Sequence, residues 1–145
     1  MEQNNIWTRY LIIGWLISIL LFTNSCTKDY EQTAEYIIVN ATDYKINFGE
    51  KLKGYNLLPK QIYRSLEIMN GNKNVSESSY RSPLYMAGPI TIEFDGNKCL
   101  VLQAIDSEHS ILNIKNFVSE NNGSRSYKFT YTFTEADYNR ATACP

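Results

Sequence analysis

The chain has 145 residues and a formal net charge of −1, with 14 Lys and Arg against 15 Asp and Glu. That length suits a single domain. The balance lacks the clustered basic face that nucleic-acid binding requires, and Lys45, Lys51, Lys53 and Lys60, interleaved with Glu50 and Glu67, read as a solvated face.

The chain opens on an export pattern. Arg9 precedes residues 10–22, YLIIGWLISILLF, and Thr23-Asn24-Ser25-Cys26 follows. A charged start, a short apolar run and small residues before a break mark a secretory signal. As a helix the 13-residue run rises about 20 Å at roughly 1.5 Å per residue, short of the roughly 30 Å of a bilayer core. A cleaved signal is therefore favoured over a permanent span. Leu21-Phe22-Thr23-Asn24-Ser25-Cys26 resembles the lipoprotein signal of the Bacteroidetes type, in which the cysteine becomes the first mature residue and carries lipid. The resemblance implies lipid on Cys26, a membrane partner through that lipid, and a place in the bacterial cell envelope, at the outer membrane. Thr27-Lys28-Asp29-Tyr30-Glu31-Gln32 partly resembles the signal that sends such lipoproteins to the cell surface, with Tyr30 interrupting the acidic pair.

Removal of residues 1–25 takes away Glu2 and Arg9, which cancel, together with both tryptophans, Trp7 and Trp15. With Cys26 assigned to lipid, Cys99 and Cys144 remain as an even pair. In an oxidising compartment an even remainder predicts a disulfide. Its loop of about 46 residues would contribute about 4 kcal/mol in the chain-entropy model.

Residues 26–34 read as a lipid-carrying tether and residues 35–145 as the domain. There the apolar period is two rather than 3.6. Glu35–Asn40 is expected as a strand, turning at Asn40-Ala41-Thr42-Asp43 into a hairpin partner whose inner face is Tyr44, Ile46 and Phe48. Pro59 lies in a connection. Ile62 to Met69 alternates as a strand, with a helix as the competing reading. Residues 74–88 are polar and predict a mobile surface loop. Pro89–Phe94 alternates cleanly, Asp95-Gly96 supplies a left-handed turn, and Asn97–Ile105 returns as a central strand. Asp106–Gly123 is expected to be irregular, with Ile111, Leu112, Ile114 and Phe117 packing inward. Ser126–Thr134 presents Tyr127, Phe129, Tyr131 and Phe133 on one face and Lys128, Thr130, Thr132 and Thr134 on the other. Thr134 is placed to cap a helical turn through Asp137 and Tyr138.

Short strands spaced by turns, with no crossover helices, predict an all-β fold: an antiparallel β-sandwich of immunoglobulin-like or transthyretin-like form. Tyr36-Ile37-Ile38-Val39-Asn40, the Pro89-led strand, Phe94-Asp95-Gly96 and Thr134-Glu135-Ala136-Asp137-Tyr138-Asn139-Arg140-Ala141 resemble small Bacteroidetes lipoproteins of unassigned function. That resemblance implies a location and a fold and brings no activity.

No motif carries a reaction. His109, the single histidine, sits in Asp106-Ser107-Glu108-His109-Ser110, which reads as a polar loop because adjacency in sequence does not build a triad. No metal site is expected, since two cysteines and one histidine are too few grouped ligands, and no cofactor is expected. The binding candidates are Tyr80 and Tyr85 in the 74–88 loop, rigid rings with polar tips suited to a protein or glycan partner. The expected function is a binding module without catalysis. The alternative is an envelope enzyme or enzyme inhibitor.

Overall fold

The computed structural model describes residues 30–48, 56–71, 75–85, 89–102 and 109–145. They form two packed sheets. Strands β1 (Tyr30–Asn40), β4 (Ile62–Gly71), β7 (Val118–Gly123) and β8 (Ser126–Phe133) make one sheet in the order β4-β1-β8-β7. Strands β2 (Ile46–Asn47), β3 (Asn56–Leu57), β5 (Ile90–Phe94), β6 (Lys98–Leu102) and β9 (Thr142–Ala143) make the other in the order β3-β2-β5-β6-β9. Helix α1 (Glu135–Arg140) links β8 to β9. The β-sandwich expected from the alternation is present. All pairings are antiparallel except β1 with β8, which run parallel from Thr33↔Ser126 to Asn40↔Phe133.

The core is written by the period of two. Ala34, Tyr36 and Ile38 of β1 and Phe129, Tyr131 and Phe133 of β8 face Ile46, Ile90, Ile92, Phe94, Leu100 and Leu102 of the opposite sheet. Ile111, Leu112 and Phe117 fill in from the connection ahead of β7. Burial holds the hydroxyls of Tyr36 and Tyr131 well above the ordinary tyrosine range, with nearby Glu67 and Asp137 respectively as the second cause. Both therefore stay protonated and act as donors: Tyr36 to the Arg81 carbonyl at 2.7 Å and Tyr131 to the His109 carbonyl at 2.9 Å.

Three details differ from the sequence expectations. β1 begins at Tyr30 rather than Glu35, because Gln32 and Ala34 are buried and pair with Met69 and Glu67. β1 and β2 do not form a hairpin: they lie in different sheets, and the turn after Asn40 carries the chain across the sandwich. β7 is a strand although its residues, VSENNG, have no apolar alternation; it exists through its pairing with β8. β4 is the strand its alternation predicts, with Tyr63, Ser65, Glu67 and Met69 inward and Ile62, Leu66 and Ile68 on the exposed outer face of a sheet edge.

Candidate functional site

The β7–β8 hairpin turns through Gly123 (φ 131°) and Arg125 (φ 62°). The left-handed backbone at Arg125 is held from two sides, since its carbonyl accepts from the Thr33 amide at 2.9 Å and from the Tyr80 hydroxyl at 3.1 Å. Its guanidinium carbon lies 4.5 Å from the centroid of the Tyr30 ring, at the very start of β1. Beside it opens a cleft of about 420 Å³ lined by Val75, Ser76, Asn121, Gly123, Ser124, Arg125 and Tyr127. Asn121 is fixed there by accepting from the Gly123 amide at 2.9 Å. Lys60, Arg64, Lys128 and Arg140 each pair with a carboxylate, whereas Arg125 has no carboxylate partner among the described residues.

The segment over the cleft is not the loose loop expected. Tyr80 is 2 % exposed, its ring packed 5.2 Å from that of Phe129 and 5.3 Å from that of Tyr127. This corrects its assignment as a surface reader. An apolar ring on a polar segment finds the gap at the end of the aromatic stripe, and its hydroxyl finds the Arg125 carbonyl. Ser82 adds a second pin, donating to the Ile111 carbonyl. Tyr85 stays outside, 46 % exposed, with the Arg81 guanidinium 5.1 Å from its ring centroid. Sequence reasoning could not separate the two tyrosines because neither lies in an alternating run.

A second cluster surrounds Asp137, whose side chain is fully buried. Its Oδ2 accepts from the Thr134 amide at 2.8 Å, the cap expected from the sequence. Its Oδ1 faces Arg140 and, at 3.2 Å, His109 Nδ1, which also lies 3.0 Å from the Tyr131 hydroxyl. The His109–Asp137 contact joins residues 28 apart, and no local signal announced it. The arrangement orients an imidazole as a base would be oriented. Yet Asp137 shares the same oxygen with Arg140, and His109 has no serine, threonine or cysteine partner among the described residues. Its contacts latch α1 and the segment at His109 onto β8. No three His, Cys, Asp or Glu side chains among the described residues group as a metal site.

Cys26 lies outside the described residues. Cys99 and Cys144 are joined, with Sγ atoms 2.04 Å apart, fastening the two-residue edge strand β9 to β6. The Cys144 amide donates to the Asn97 carbonyl at 3.2 Å beside the bridge. Titration of the denatured, unreduced protein is therefore expected to find neither of these thiols reactive. Two reactive thiols would contradict the bridge.

No protein-family model, curated protein or solved structure matches the chain.

Proposed function

We propose that the protein is an exported lipoprotein, held by lipid on Cys26 in the bacterial cell envelope at the outer membrane, whose sandwich is a binding module for a protein or glycan. The observation that supports this most is a spacing. The apolar run ends at Phe22, the cysteine follows at 26, and the first strand begins at Tyr30. That leaves room for a lipid attachment and little else. Acyl chains contribute about 0.8 kcal/mol per buried CH₂, so several chains hold a domain on a membrane durably. The binding reading draws on the segment at Arg81–Tyr85, where a pinned backbone presents an exposed ring and a guanidinium stacked on it. Such preorganised aromatic surface loses little side-chain entropy on contact.

The test is crosslinking of the tagged full-length protein in its own envelope, with identification of the captured neighbour. The double change Arg81→Ser, Tyr85→Ser is expected to lose that neighbour while leaving the urea midpoint nearly unchanged. Retention of the same neighbour by a stable double variant would place recognition elsewhere. The alternative, an envelope enzyme, would draw on His109 and Asp137 instead.

A further inference from the structure

We propose that the cleft beside Arg125 takes the phosphate of an anionic membrane phospholipid headgroup. The inference rests on the lipid anchor at Cys26 and adds what the anchored end of the domain does.

Geometry limits where that end can be. Three residues separate Cys26 from Tyr30, and an extended chain spans at most about 3.6 Å per Cα step, so over the four steps these two Cα atoms lie within about 14 Å of each other. Arg125 stacks on the Tyr30 ring at 4.5 Å. Whatever path residues 27–29 take, the guanidinium stays within about 25 Å of the cysteine backbone once the length of the tyrosine side chain is added. The headgroup layer is only about 5–8 Å deep on each side of the hydrocarbon core. The cleft therefore lies at the anchored end of the domain, close enough to the cysteine for headgroups to reach it.

The chemistry of the cleft suits a phosphate. A guanidinium fork matches two phosphate oxygens and keeps its charge at any relevant pH. The stacking on Tyr30 and the two bonds to the Arg125 carbonyl fix the residue before any ligand arrives. The polar residues Ser76, Asn121 and Ser124 line the same space. No carboxylate among the described residues pairs with Arg125, so its charge is available to a ligand.

The experiment uses the full-length lipidated protein, with lipid on Cys26 verified by mass spectrometry, reconstituted into vesicles of phosphatidylcholine alone or of equal parts phosphatidylcholine and phosphatidylglycerol. Amide hydrogen exchange is followed over residues 121–127. Exchange is expected to slow several-fold in the mixed vesicles, Arg125→Gln to abolish the slowing, and Arg125→Lys to keep part of it, with all three proteins sharing one urea midpoint. Inorganic phosphate added to phosphatidylcholine vesicles is expected to give no slowing; equal slowing would make free phosphate the ligand and overturn the lipid assignment. Lipid on Cys26 with the same exchange in both vesicles, or slowing that survives Arg125→Gln, overturns this inference alone. Absence of lipid on Cys26 overturns the anchor, and this inference with it.

Discussion

Replacing Phe129 with alanine is expected to lower the unfolding free energy by about 3–5 kcal/mol, the range for deleting a fully buried aromatic ring. Phe129 is completely buried and sits at the hub of the aromatic stripe. Its ring lies 5.6 Å from Tyr36, 5.2 Å from Tyr80 and 5.9 Å from Tyr127. Truncation opens a cavity among three rings that are themselves fixed, Tyr36 and Tyr80 by hydroxyl bonds to backbone carbonyls. Such a site collapses poorly, which places the cost toward the upper end. Thr130→Ala, one residue on, is the control. Its side chain points to the outer face between Ile37 and Val118, and the change is expected to cost well under half as much. Urea midpoints of the two variants check this, and a reversed order would show that β8 is out of register.

The second large effect is expected at Asn40, a polar residue with no exposed surface. Its amide nitrogen faces three carbonyls, those of Tyr44 at 2.8 Å, Leu57 at 3.2 Å and Leu58 at 3.0 Å. Its Oδ1 accepts from the amide of Thr42 at 3.0 Å and from its hydroxyl at 2.7 Å. One side chain thus ties the end of β1 to the crossing turn and to β3 in the opposite sheet. Each buried polar group left without a partner costs about 1–3 kcal/mol, so Asn40→Ala is expected to destabilise by about 3–5 kcal/mol. Asn40→Asp separates this network from packing. It preserves the shape but replaces the donor with an oxygen facing three carbonyls. It is expected to be at least as damaging at neutral pH, whereas a near-neutral Asn40→Asp would refute the network.

These two residues also mark what was legible in the sequence. Phe129 announces itself, because Tyr127, Phe129, Tyr131 and Phe133 alternate against Lys128, Thr130 and Thr132. The same period places β4 and β5, and the Asp95-Gly96 turn places β6. Asn40 does not announce itself. An asparagine followed by Ala-Thr-Asp reads as an exposed turn, and only the meeting of two sheets turns it into a buried hub. β7 is silent for a related reason: a strand with both faces polar has no period and is specified by its partner. The site divides in the same way. The Thr134–Asp137 cap is local and readable, whereas His109 at Asp137, Tyr80 against Arg125 and Tyr30 beneath Arg125 depend on contacts 28, 45 and 95 residues apart. Tyr80 shows the limit most plainly, since its polar neighbours pointed outward and its ring went in.

The central claim, a sandwich carried on a membrane by lipid on Cys26, is tested most directly by growing the producing cells on labelled palmitate and isolating the full-length protein and its Cys26→Ala variant. The account predicts label in the unaltered protein and none in the variant. Equal label in both, or none in either, would contradict it.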